Sequence, residues 1–500
     1  MVKVSVVSIA GGILAALLFL AVWIPTHTAR PLLPTDDLYT HLSVARHLVH
    51  GEGFLTDVTY PLSFAFDFAR ELPQPLIHRQ PGFAILLTAP YFATRGHPHR
   101  TVDQVRHMQI ILLGLMAMVG TAFFLRRGNR AAVVAWLVLL FTNPLLVFAV
   151  DWGMVELVCS LLLLVIWLRM RDGAPGRPDW IDGLLAGILC MLRLDLFWVP
   201  ILWWILLGKN PRRIFSGPVA MNRRLGLVAL AWLLVITPWA IRNLQVTGQP
   251  AFSLQTYAEH VKDTRTWPGY TVYQQLEPQP FFETMTSDPV PVLRKVGRGM
   301  KFFYRDMHRL VPVLVLVGLA FGALAFLAAR LKILPAKPET GPMALVVLTT
   351  VLLTIQYSFF DHSLRHLLVV LPMMLWEFSA WIGDTVRRVT HGPGEARGDR
   401  SGLLWNLGSV IFLPAVVAVV IVFLFPCRLP GWEFAADEAV SFAARTERQI
   451  ESTRRTPPGV LFVDTSAVPW FIDRPVVWSP TEKSTRKRIC ELLGQPEAKP

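Results

Sequence analysis

The sequence predicts an all-α polytopic membrane protein of about 11 transmembrane helices, with a small α/β extracytoplasmic domain at its C-terminus. Three observations carry that expectation. Hydrophobic residues make up 53% of the 500 residues and mean hydropathy is +0.45, too apolar for a soluble enzyme of this length. Apolar runs near the roughly 20 residues needed to cross hydrocarbon recur along the chain. Lys and Arg gather in the short loops between those runs. The net charge of +13 therefore reads as a topology signal, and no nucleic-acid partner is expected.

The first run, approximately residues 4–24, has no small-residue cleavage site and reads as a retained signal anchor. It opens a transmembrane module, 1–426, with a first outer loop at 25–80 and a larger one at 243–309. Further spans fall at approximately 104–125, 131–150, 153–170, 180–193, 194–208, 224–241, 310–330, 342–360, 364–385 and 403–426. The run 81–91 is short and carries Pro90, so it reads as re-entrant or interfacial. With that run not crossing, five basic clusters share the cytoplasmic side. They are Arg126/Arg127/Arg130, Arg169/Arg171/Arg177, Lys209/Arg212/Arg213/Arg223/Arg224, Arg330/Lys332/Lys337 and Arg387/Arg388/Arg397/Arg400. The N-terminus is then cytoplasmic and the tail, 427–500, lies outside an inner (plasma) membrane. Its runs Gly459–Asp464 and Trp470–Trp478 suggest alternating strands and helices. The four cysteines lack metal-ligand spacing; Cys427 and Cys490 share a compartment, and whether they pair is left open.

Just after the first span, Thr35 offers an N-cap, with Asp36 and Asp37 in the first turn of a helix where the macrodipole favours negative charge. Leu38, Leu42, Ala45 and Val49 form an apolar stripe, with Thr40, His41, Ser43 and His47 mostly opposite. This predicts an amphipathic helix on the bilayer surface, ended by Gly51-Glu52-Gly53. Acids in that position serve equally as capping residues.

Other polar residues gather at the outer ends of spans: His78, Arg79 and Gln80; Asp151 and Glu156; Arg242 and Asn243; Asp361, His362, Arg365 and His366. Ionisable groups at membrane level are costly and are functional candidates unless they pair with one another. Arg193 and Asp195 read better as a local ion pair. The stretch Arg294–Arg305 repeats basic residues, Arg298 and Lys301 among them, at helical spacing beside a membrane crossing. It suits either anionic lipid heads or the phosphate of a lipid-linked substrate. Nucleotide-binding and metalloprotease motifs are absent from usable contexts.

In order along the first three quarters of the chain, the sequence resembles the bacterial GT-C membrane glycosyltransferases. This is the group around the dolichyl-phosphate-mannose protein mannosyltransferases and the lipid A aminoarabinose transferases. The residues that carry the resemblance are Asp36-Asp37-Leu38-Tyr39, Ala45-Arg46-His47-Leu48, Gly51-Glu52-Gly53-Phe54 and Arg79-Gln80-Pro81-Gly82-Phe83. Asn143-Pro144 with Glu156, Leu192-Arg193, Thr237-Pro238-Trp239-Ala240-Ile241-Arg242-Asn243 and Leu364-Arg365-His366-Leu367 continue it. His366 stands where relatives often carry an aromatic, and the tail resembles nothing diagnostic.

The resemblance implies an inverting transferase using a polyprenyl-phosphate sugar, with Asp36 or Asp37 as base. Arg79, Arg242, Arg298, Lys301 and Arg365 become candidates for the donor phosphate, and Tyr39, His78, Asp151, Glu156 and His366 further site candidates. The acceptor is a lipid, a glycan or a protein. No cofactor is implied with certainty: some relatives use a divalent metal near the acid pair, but adjacent helical residues point about 100° apart. The competing reading is a transporter or flippase of a lipid-linked sugar, disfavoured because two related halves are not seen.

Overall fold

The computed structural model describes residues 6–28, 36–172, 180–207, 218–262, 264, 271–274, 276–310, 340–360, 363–391, 447–451, 459–465, 467–480 and 482–497. The spans expected at 310–330 and 403–426 lie outside these residues, as do Thr35, Asp361, His362 and Cys427. Three described helices are long and apolar enough to cross a membrane: Pro98–Arg126, Gly226–Thr247 and Gly341–Phe359.

Helix α1 (Val6–Thr28) packs along α4 (Pro98–Arg126), the longer of the two. Between them come α2 (Asp36–Val49), the outer loop, and α3 (Gly82–Ala93). At about 1.5 Å per residue α3 is some 18 Å long, too short to cross hydrocarbon. The expected span at 131–150 is instead two helices, α5 (Arg130–Thr142) and α6 (Pro144–Trp152). Asn143 explains the break. Its Oδ1 accepts from the backbone amides of Leu145 (3.1 Å) and Leu146 (3.3 Å), while Pro144 fills the first helical position, where it needs no N–H.

α6 stops at Gly153, whose φ is +65°; a Cβ there would lie 2.7 Å from the Leu38 side chain. Glycine thus serves both the left-handed turn and the seating of α2. Next come α7 (Glu156–Asp172), α8 (Trp180–Leu192), a 3₁₀ turn at Leu194–Leu196, α9 (Trp198–Leu207) and α10 (Pro218–Thr247). In the large outer loop are α11 (Phe281–Ser287) and α12 (Pro289–Leu310). Beyond them, α13 (Thr340–Phe359), a second 3₁₀ turn at Leu364–Val369 and α14 (Leu371–His391) return to the bundle.

The described tail alternates β4 (Phe462–Val463), α15 (Ala467–Ile472), β5 (Val476–Trp478) and α16 (Lys483–Leu493). The outer loop supplies β1 (Leu55–Thr56), β2 (Val58–Thr59) and β3 (Gln74–Pro75). β1 pairs with β3 in a separate antiparallel ribbon. β5 is the centre of a parallel sheet ordered β2-β5-β4, so the tail and the first outer loop share one sheet. Helix α15 of the tail and strand β1 pack against α2 and change its character. Instead of an amphipathic surface helix, α2 is buried from Leu38 to His47, its polar side included.

Close approach of α8 and α10 depends on Gly183, where a Cβ would fall 2.1 Å from the Val228 carbonyl oxygen. Gly183→Val should therefore destabilise the bundle by about 1–3 kcal/mol. The check is the apparent melting midpoint in detergent; an unchanged midpoint would contradict the packing described.

Candidate active site

The N-terminal turn of α2 presents Asp36 and Asp37 to different neighbours. Asp37 is gripped by two guanidinium groups: Arg79 Nη2 donates to Oδ1 and Arg365 Nη1 to Oδ2, the latter at 3.0 Å. Arg79 precedes α3 and Arg365 lies on the 3₁₀ turn before α14, so three distant segments converge on one carboxylate. The side chains of Asp37, Arg79 and Arg365 keep 17%, 20% and 26% of their surface exposed, which leaves the cluster reachable. Burial alone would raise the Asp37 pKa, but Arg79, Arg365 and His41 outweigh it and hold the carboxyl well below the usual range. Burial first, then Arg79, pushes His41 down to about 3, and the same causes depress His78. Both imidazoles are therefore neutral beside the cations. Among the described residues, His41 Nδ1, His78 Nε2 and Arg79 Nε are buried without a hydrogen-bond partner.

Asp36 turns the other way, toward the tail, where its Oδ1 accepts from the Thr465 hydroxyl at 2.7 Å. Tyr39 is buried with its ring 5.9 Å from that of Phe471. His78 lies edge-on to Tyr60 at 4.7 Å.

Beside this cluster, His366 and Glu156 belong to a second one centred on Arg193. The Arg193 guanidinium grips Asp195 at 3.1 and 2.8 Å and reaches Glu156 at 3.2 Å, the Tyr357 hydroxyl at 3.2 Å and His366 Nδ1 at 3.3 Å. The local pair expected of Arg193 and Asp195 is present, but as part of a wider network. Arg365 and His366, adjacent in sequence, link the two clusters.

The remaining candidates lie elsewhere. Asp151 pairs with Arg106 at 3.4 Å inside the helical bundle. Arg242 donates to the carbonyls of Leu76 (2.7 Å) and Phe54 (3.3 Å) with its guanidinium over Trp239, bracing the loop rather than joining Asp37. Arg298 and Lys301 are exposed on α12. It is Lys295 on that helix that is buried, its ammonium donating to the carbonyls of Glu259 and, at 2.8 Å, Phe360. Among the described residues no group of three or more His, Cys, Asp or Glu is placed to hold a metal ion. A cavity of about 560 Å³ lined by Val49, His50, Tyr91, Phe92 and Arg95 lies at the opposite end of α2 from the acids.

A core of apolar helices thus carries an acid–guanidinium cluster on the loops at their ends. In fold the chain is similar to ArnT from Cupriavidus metallidurans. The structure of ArnT bound to undecaprenyl phosphate matches at a TM-score of 0.51 and 11% identity, over 95% of this chain and 86% of that one. Its apo state matches at 0.51 and 12%, over 94% and 86%. The resemblance read from the sequence is thus matched in the fold. No family model matches the chain, and no curated protein matches it in sequence.

The second half of α2 is tied down by a buried network. Arg46 Nη2 donates to Asp57 Oδ2 at 2.5 Å, while His47 binds Asp57 Oδ1 through Nε2 (2.9 Å) and Glu52 through Nδ1. Burial alone would lower the His47 pKa, but Asp57 and Glu52 raise it overall. Burial would raise that of Asp57, but His47 and Arg46 lower it. A raised histidine stabilises the fold fully below its unfolded value of 6.5 and loses that contribution as pH climbs through the folded value. A lowered aspartate stabilises above 3.8 and loses its share as pH falls through the folded value. His47→Gln should therefore lower the melting midpoint most near about pH 6, the gap to wild type narrowing toward about pH 9. A gap that stays constant across that range in thermal melts would count against the network.

Proposed function

We propose that the protein transfers a glycosyl group from a polyprenyl-phosphate-linked donor to an acceptor on the extracytoplasmic side of the membrane, with inversion at C1. The observation that carries this reading is the convergence of Arg79 and Arg365 on Asp37, beside Asp36 and three buried unpartnered nitrogens. The fold shared with ArnT, which has been seen with undecaprenyl phosphate, supports the choice of donor class.

In this mechanism an acceptor hydroxyl or amine attacks C1 of the sugar as the bond from C1 to the phosphate oxygen breaks. The acceptor proton passes to a carboxylate, and the bonding pair leaves with the polyprenyl phosphate. That phosphate changes from diester to monoester and gains charge, so fixed cations must meet it. Each guanidinium has five N–H donors in a planar fork, so Arg79 and Arg365 can hold Asp37 and still face phosphate oxygens. The phosphate departs as a stable anion and requires no general acid, unlike the leaving alcohol in glycoside hydrolysis.

Asp36 is assigned as the base. A proton acceptor works best with a pKa near the working pH, and Asp37 is held far below that by its two arginines. Asp37 is instead the anchor that keeps the cations side by side.

Purified protein supplied with a radiolabelled polyprenyl-phosphate sugar and candidate acceptors tests this. Asp36→Asn should lower kcat by about 10²–10⁴-fold, the range of general base catalysis, while expression and membrane insertion persist. Arg365→Ala should cost on the order of 10²–10³-fold in rate through the phosphate. Full activity in Asp36→Asn would remove the base assignment, and full activity in Arg365→Ala the phosphate clamp.

A further inference from the structure

We propose that Thr465 of the tail positions the Asp36 carboxylate for proton transfer, so that the tail completes the site. The inference rests on the reading of Asp36 as base and adds a residue 429 positions away in sequence.

Thr465 is buried in the turn between β4 and α15. Its Oγ1 accepts from the backbone amide of Ala467 at 3.2 Å, which directs the hydroxyl proton toward Asp36 Oδ1 at 2.7 Å. One threonine oxygen thus has both its roles defined. The turn is held from two sides. The sheet fixes it through β5, where Val58 is in register with Val476 and the Val476 amide donates to the Asp57 carbonyl at 2.8 Å. Arg46 fixes it from beneath α15, donating to the carbonyls of Pro469 (3.3 Å) and Trp470 (3.5 Å) and pairing with Asp473 at 2.8 Å. Arg46 is also the partner of Asp57, so α2, the outer loop and the tail share one lock.

A hydroxyl donating to one carboxylate oxygen does two things. It fixes the plane of the group, and it favours the ionised form that a base requires. Thr465 touches neither reacting atom, so it is a positioning residue that acts through Asp36.

The test compares wild type with Thr465→Val, which removes the hydroxyl at nearly constant shape, and with Thr465→Ser, which keeps it. Thr465→Ala serves as a second deletion if the valine variant fails to fold. Transfer assays on the full-length protein should show kcat lower by about 10- to 100-fold in Thr465→Val, the loss expected for a hydrogen bond to a charged group. The KM for the donor should stay unchanged, the acid limb of the pH–rate profile should move to higher pH, and Thr465→Ser should recover most of the rate.

A second readout does not depend on transfer: the pH dependence of carbodiimide labelling of Asp36, followed by mass spectrometry of its peptide. Its midpoint should rise in Thr465→Val and return in Thr465→Ser. An unshifted midpoint in a folded deletion variant overturns the proposal. If the wild-type protein transfers no sugar, the functional reading fails, while the labelling midpoint still decides whether Thr465 governs Asp36.

Discussion

A carboxylate with two guanidinium groups on it, most of their surface removed from water, is the constraint around which this end of the helical bundle is arranged. Desolvating any one of these charges alone would be prohibitive; together they become tolerable because each guanidinium satisfies one oxygen of Asp37. Arg79 lies 42 residues from Asp37 and Arg365 lies 328. The requirement for a partner therefore fastens the start of α2 to the loop before α3 and to the turn before α14. The Arg193 cluster extends the same logic one step further into the bundle, because Arg365 and His366 are neighbours on one short 3₁₀ turn. Charges thus hold these ends of the helices, while apolar packing holds their middles.

The polar side of α2 meets a second demand. In a solvated surface helix, Arg46 and His47 would need no partners. Here α15 and β1 pack against α2, and the partners come from Asp57, Glu52, Asp473 and two backbone carbonyls. A single-chain sheet formed between residues 58–59 and 462–478 means that the tail cannot leave without exposing these groups. The lock therefore couples the sheet to the same helix that carries both acids.

Much of this was legible in the sequence, and the rest was not for identifiable reasons. Apolar runs of helical length gave the bundle, and the Asp-Asp pair with Arg79 and Arg365 stood out because charge is expensive beside hydrocarbon. The break at Asn143-Pro144 lay inside an apolar run and was overridden there by span length, although an Asn followed by Pro is itself a helix-start signal. Periodicity described α2 correctly as a helix but could not say what would cover its polar side. That cover is made by α15, a helix of six residues, and β1, a strand of two, both too short to leave a pattern. The same limit applies to the cations. Arg298, Lys301 and Lys295 share one basic stretch, and only tertiary contact separates the exposed pair from the buried one. Thr465 offered no signal at all: a lone threonine in a polar segment acquires meaning only from the carboxylate it meets.

Two adjacent aspartates ending in different surroundings follow from helix geometry. Successive side chains diverge by about 100°, so a single site cannot enclose both unless the fold brings a wall to each. One wall is cationic and comes from within the bundle. The other includes a hydroxyl delivered by the tail. Paired arginines lower the proton affinity of Asp37, and its charge in turn keeps the two guanidinium groups from repelling each other apart. Asp36 meets the tail instead, where the Thr465 hydroxyl donates to its Oδ1. The same residue type, repeated once, thus anchors two cations at one position and meets the tail at the next, and the division of roles proposed for the two acids follows from that split.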